Sequence, residues 1–243
     1  MLSFQPLGDT GVRIGMGDEI RPDINRRIRS YCNALEKNEI HGVSEWVPAY
    51  CSVTVYYRPH LIGYDELCRR LEALAERVEE TSEADSRVWV LPVAYGGECG
   101  PDLEDVASRN GLSASEVIRI HSRSLYRVYM MGFVPGFPYL GGMSDSIAAP
   151  RLSNPRPRIP AGSVGIAGSQ TGVYPLETPG GWRLIGRTPV RLYDPDRERP
   201  MLLQAGDSIR FQPVDSEEYR EIRERLNRGE YTIRHQSNGE IQS

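Results

Sequence analysis

The feature that most constrains this chain is its glycine and proline punctuation. From Pro135 to about Gly186 the sequence carries much of its 24 glycines and 18 prolines, leaving only short strand-like pieces such as Val164–Ala167 and Trp182–Ile185. Each glycine in a helix interior costs about 1 kcal/mol relative to alanine, and each proline about 3 kcal/mol. A helical bundle is therefore excluded over this stretch. Glycine and proline together make up about 17% of the 243 residues, against roughly 12% in an average protein. The excess points to a loop-rich, β-rich architecture.

The remainder of the chain falls into two patterns. Up to about residue 80, Phe4–Leu7 and Val12–Met16 read as short strands around the turn Gly8-Asp9-Thr10-Gly11. Pro22 suits a helix start, and Ile24, Ile28, Tyr31 and Leu35 follow it at helical spacing. Cys51–Tyr57 alternates like a strand, and Leu67, Leu71, Leu74 and Val78 form a second helical stripe. The order ββαββα predicts a small two-layer α+β domain. The polar stretch Thr81–Ser86 is the expected boundary.

Beyond it, strands are expected at Val88–Tyr95, Leu125–Phe133, Val190–Tyr193, Met201–Gln204, Ser208–Pro213 and Tyr231–Arg234. Helices are expected from Leu103 to a cap at Gly111, from a Ser113–Glu116 capping box to about Arg123, and over Asp215–Asn227. Many short strands with few helices predict a closed or nearly closed β-barrel. The chain thus divides into an α+β domain at 1–84, a β-barrel domain at 85–235 and a tail at 236–243 that reads as disordered.

Composition removes several function classes. Lys+Arg is 29 and Asp+Glu is 33, a net charge of −4, so neither nucleic acid nor an anionic membrane surface is an expected partner. The only lysine is Lys37. A phosphate-binding P-loop, which needs Gly-Lys-Ser/Thr, is absent, and a Schiff base would rest on one helix-surface amine. Cys32, Cys51, Cys68 and Cys99 lie 19, 17 and 31 residues apart, so no spacing suits zinc or a redox CxxC, and no metal is expected. The start MLSFQPLGDT has no basic and apolar leader, and no run approaches 18 apolar residues. These features read as a cytoplasmic protein with reduced thiols.

Three places could carry chemistry. In Met131–Gly142, Pro135 and Pro138 stiffen the backbone and Gly136 permits positive φ, so Phe133, Phe137 and Tyr139 can be held in set directions. This is either a rigid aromatic-packed loop or a pocket wall or partner-docking surface. In Asn154–Trp182, Arg156 and Arg158 stand among prolines. Glycines alternate there with Ser163, Ser169, Gln170 and Thr171, a composition fit for a carboxylate or phosphate but equally for barrel corners. His121 shares the apolar face of its helix with Val117 and is either a satisfied core histidine or an acid, base or hydrogen-bond donor.

Met131–Gly142 and Arg156–Pro189 closely resemble the allophanate hydrolase subunit 1 family, the KipI-like or PxpB-like proteins, and half of the carboxyltransferase region of urea carboxylase. Leu91–Ala107, His121 with Tyr126 and Val128, and Trp46–Tyr57 carry the resemblance further, so it covers about residues 1–233. The resemblance implies a ferredoxin-like N-terminal domain followed by a cyclophilin-like β-barrel. It also implies a subunit of an ATP-dependent 5-oxoprolinase, which opens the lactam of 5-oxoproline to glutamate with PxpC-like and PxpA-like partners; stand-alone catalysis is not expected. Such chemistry needs an arginine for the substrate carboxylate, oxyanion donors and a proton shuttle. Arg158, the Ser163–Thr171 loop (Ser163, Ser169, Gln170, Thr171) and His121 are the candidates for those roles, and ATP the expected cofactor of the assembled complex. KipI-like members supply the alternative, inhibition of a sporulation sensor histidine kinase, in which Phe133, Pro135, Phe137 and Tyr139 would form a docking ridge.

Overall fold

The computed structural model describes residues 2–78 and 86–237. Backbone proximity divides the chain into two compact units, Met1–Glu83 and Ala84–Ser243. Most of the expected boundary segment, Thr81–Asp85, lies outside the described residues.

The first unit contains β1 (Ser3–Leu7), β2 (Gly11–Gly15), α1 (Pro22–Lys37), β3 (Val43–Pro48), β4 (Ser52–Tyr57) and α2 (Tyr64–Ala75). The strands form one antiparallel sheet in the order β1-β2-β4-β3. Pro22 occupies the first turn of α1, where its missing N–H costs nothing. The stripe Ile24, Ile28, Tyr31 and Leu35 packs with Val53, Val55, Leu67 and Leu71 in a core of its own. Tyr31 Oη donates to the Leu71 carbonyl at 2.8 Å, so the one polar atom it brings inside is satisfied.

The second unit begins with β5 (Arg87–Tyr95), α3 (Leu103–Arg109), α4 (Ala114–Arg123), β6 (Leu125–Met131) and β7 (Pro138–Gly141). Next come β8 (Arg156–Ile159), β9 (Ser163–Ala167), β10 (Gln170–Val173), β11 (Thr178–Gly180) and β12 (Arg183–Arg187). It ends in β13 (Ser208–Val214), α5 (Ser216–Asn227) and β14 (His235–Ser237). The principal sheet runs β10-β9-β12-β5-β13-β6-β7, with β14 added on β5 and β8-β11 forming a separate two-stranded ribbon. The end strands β10 and β7 approach each other, so the sheet is nearly closed. Leu91, Val93, Val128, Val164, Ile166, Ile185, Ile209 and Phe211 fill its interior. Each such side chain contributes roughly 1.5–3 kcal/mol by leaving water.

Local chemistry explains why α4 sits where it does. Ser113 Oγ accepts from the Glu116 N–H, and the Glu116 carboxylate accepts from the Ser113 N–H at 2.8 Å. This capping box sets the helical phase that turns Val117 and His121 inward.

Several expectations are corrected. Val190–Tyr193 and Met201–Gln204 are not strands. Pro189, Pro195 and Pro200 interrupt pairing, and the two segments are joined by the bridge of Tyr193 with Met201 and the bond from Leu202 N–H to the Leu192 carbonyl rather than by a ladder. The last strand is His235–Ser237, not Tyr231–Arg234, so the tail expected to be disordered from residue 236 starts as an ordered ladder on β5. The residues beyond, 238–243, lie outside the described ones. The Ser163–Thr171 segment is not a loop but the hairpin β9–β10, closed by Gly168 and Ser169, with Gly168 at φ 60°.

Candidate functional site

His121 is completely enclosed. Its Nδ1 lies 2.7 Å from Tyr95 Oη and its Nε2 2.9 Å from Thr171 Oγ1, which donates to the Gly165 carbonyl at 3.0 Å. Because the Thr171 proton is committed to Gly165, the network assigns the imidazole proton to Nε2 and the Tyr95 proton to Nδ1. The ring stacks on Phe211 at 4.6 Å. Burial lowers the His121 pKa to about 3 and pushes Tyr95 well above its ordinary value. Both groups are therefore neutral at physiological pH and satisfy each other. In this arrangement His121 holds β10 against α4, with no solvent-facing nitrogen.

Thr171 faces the interior while its neighbour Gln170 turns to the opposite face of β10, where an aromatic cleft of about 170 Å³ opens. Phe137, 3% exposed, is its centre. It meets Phe133, Tyr139, Tyr174 and Trp182 edge-on, with centroid separations of 5.3–5.8 Å and interplanar angles of 65–89°. Edge-to-face contacts align the positive ring edges with negative faces and hold each ring in place. Glycine is needed beneath them: a Cβ on Gly172 would stand 2.9 Å from Trp182. Arg151 and Gln170 supply the polar rim. Burial raises the Tyr174 pKa, so its phenol keeps its proton.

At the edge of this cleft, Phe133 is 67% exposed and sits at φ 67°, the left-handed region, which costs an L-residue roughly 1–2 kcal/mol. Hydrogen bonds from Gly132 to the Phe137 carbonyl and from Phe137 to the Val134 carbonyl hold the loop in that form. Pro135 is exposed and shapes the loop without lining the cleft. Phe137 is a buried anchor, so the solvent-facing ridge rests on Phe133.

The other predicted residues separate from this cluster. Arg156 is committed to Asp102 at 2.7 Å, and Asp102 also accepts from Leu184 N–H at 2.7 Å. Arg183 pairs with Asp105 and donates to the Pro150 carbonyl at 2.9 Å, so the strand next to Trp182 is pinned on both sides. Arg158 projects into solvent, 81% exposed, with Glu177 3.5 Å away. Ser163 is buried and Ser169 exposed on the hairpin turn. Phe133, Phe137, Tyr139 and Gln170 are thus brought together; Arg158, Ser169 and His121 are not among them. Arg151, Tyr174 and Trp182 escape a reading of local sequence because each reaches the cleft from a different segment. Among the described residues no group of three or more His, Cys, Asp or Glu could hold a metal ion. No helix among them is long and apolar enough to cross a membrane.

The family model for the carboxyltransferase domain, subdomain C and D, matches residues 2–203. The chain belongs to this carboxyltransferase C/D family. Among relatives of this C/D chain, the B-type subunit of 5-oxoprolinase from Bacillus subtilis (strain 168) is 45% identical over 234 residues, covering 92% of the chain and 98% of the relative. The crystal structure of TTHA0988 is 40% identical with a TM-score of 0.76 over 85% of the chain, which spans only 40% of that longer protein. The urea carboxylase of Kluyveromyces lactis, 21% identical, shares the C/D fold at a TM-score of 0.79 over 97% of the chain and 24% of its own length.

Proposed function

We propose that this chain is the B component of an ATP-dependent 5-oxoprolinase, a hydrolase assembly that opens 5-oxoproline to glutamate together with PxpC-like and PxpA-like subunits. The observation that carries this reading is the near full-length match to a 5-oxoprolinase component of the B type. The enclosed His121 supports a composite site, because its nitrogens are both occupied and the chain must look elsewhere for its proton shuttle. His121 acts in this proposal as a positioning residue for β10. Arg158, exposed and only loosely held by Glu177, is the guanidinium open to a substrate carboxylate. The four free cysteines fit a reducing cytoplasm. Limits of 1–84 for a ferredoxin-like domain and 85–235 for a cyclophilin-like barrel belong to the same proposal.

The exposed, strained Phe133 favours a docking role for the aromatic cleft, which serves assembly with the partner chains or, in the second reading, a sensor histidine kinase. Glutamate release from 5-oxoproline and ATP is measured with the purified chain alone and with both partners. Release in the full mixture only, reduced at least tenfold by Arg158→Ala, is the expected result. Absence of release from every mixture overturns the enzyme reading, and inhibition of kinase autophosphorylation would then support the second.

A further inference from the structure

A second cleft, of about 580 Å³, lies within the barrel unit between the end of β5, β12 and α5. Arg187, Arg220 and Arg223 line it, with the exposed Glu98 as the opposing charge. A smaller cleft of about 190 Å³ shares Arg187, Tyr219 and Arg223 and adds Arg191.

What distinguishes these arginines is that all three line one cleft. Arg109, Arg156, Arg183 and Arg228 make ion pairs; none of Arg187, Arg220 or Arg223 does, among the described residues. This holds although α5 also carries Glu217, Glu218, Glu221 and Glu224. Arg187 donates through Nε to the Ala161 carbonyl at 3.0 Å, and Arg220 through Nε to the Ser216 carbonyl at 3.0 Å. In both, the Nε bond fixes the fork and leaves its outer N–H groups for a ligand. Arg187 and Arg223 line both clefts together with Tyr219, and both oppose the upward pKa shift that burial gives Cys99 and Tyr219. The backbone opposite is Gly96-Gly97, both at positive φ, where a ligand can approach without meeting a side chain. At the start of α5, Asp215 accepts from Glu217 and Glu218 N–H, while Ser216 lines the cleft.

We infer that this cleft binds a small molecule through its phosphate group. Three guanidiniums against one carboxylate match a ligand of about two negative charges, which a phosphate carries near neutral pH and a simple amide-acid does not. The volume lies in the range of small-molecule and cofactor sites. The inference concerns the isolated chain and stands apart from the oxoprolinase reading; loss of either leaves the other in place.

The test is calorimetric titration of the full chain with inorganic phosphate, with ATP and, as a carboxylate control, with glutarate. It is repeated on Arg187→Gln and on Arg220→Gln/Arg223→Gln, with melting temperatures measured alongside. Phosphate binding weakened at least tenfold in both variants, at unchanged melting temperature, is the expected result. ATP binding more tightly than phosphate would assign a nucleotide, and equal affinities a free phosphate or simple ester. No binding of either phosphate compound, equal binding by the variants, or tighter binding of glutarate overturns the inference.

Discussion

Two clefts of the barrel unit, the aromatic one and the larger arginine-lined one, handle charge in opposite ways. Behind the aromatic cleft, the guanidiniums that brace its strands are committed inward: Arg156 to Asp102 and Arg183 to Asp105. Along the other, Arg187, Arg220 and Arg223 face an open space with no carboxylate bound to them. The first arrangement makes a stiff wall whose selectivity comes from shape, since five rings lock one another edge to face. The second makes a surface whose selectivity comes from charge and whose occupancy must fall with salt. One barrel thus offers two recognition modes that respond to different substitutions.

The largest expected effect tests how far the rigidity of the aromatic wall depends on what lies beneath it. His121→Ala removes a ring stacked on Phe211, strands the Tyr95 hydroxyl and takes one of the two bonds of Thr171, so a loss of about 3–5 kcal/mol is expected in urea unfolding. A loss below about 1 kcal/mol, the net worth of a single hydrogen bond, would mean that β10 holds itself.

A smaller effect comes from acid. The folded His121 pKa of about 3 lies below the unfolded value of about 6.5, so the unfolded chain binds the extra proton. The stabilisation is complete above about pH 6.5 and is lost as pH falls toward about 3. Between about pH 7 and pH 5 this one group should remove about 2 kcal/mol. Because carboxylates titrate in the same range, the measured quantity is the difference between the chain and His121→Gln; identical pH profiles would contradict the burial argument.

The smallest expected change in stability is at Phe133. Phe133→Ala removes a side chain that is mostly in water, and releases positive-φ strain only partly, so stability should move by less than about 0.5 kcal/mol. Assembly with the partner chains, followed by light scattering, should nevertheless weaken at least tenfold. If stability falls instead and assembly is unchanged, Phe133 belongs to the packed wall rather than to a docking ridge.

Local signals carried much of the fold. Pro22, the Ser113–Glu116 box and the alternation through Tyr57 each act within a few residues, and each element stands where its signal lies. Reading failed where distant residues decide. Val190 and Leu192 are apolar because they enter the core, yet prolines keep them out of the ladder. Arg156 looks free in sequence because its partner, Asp102, is 54 residues away. The pairing of Phe133, Phe137 and Tyr139 was legible from one glycine-proline loop. The arginine cleft was not, because α5 reads as an ordinary charged helix until Arg187 arrives from β12.

The position of β5 has a consequence for synthesis. All of its ladder partners come later in the chain: Gly186 pairs with Tyr95, Ser208 with Val88 in parallel, and His235 with Trp89. The run VWVLPVAY therefore leaves the ribosome 120 residues before its parallel neighbour exists, about ten seconds at roughly 5–20 residues per second. During that interval the first unit already has every strand it needs, while β5 has both edges bare until β12 follows and the edge for β13 bare throughout. The order of synthesis thus lets the first unit close before the central strand of the second has its parallel partner.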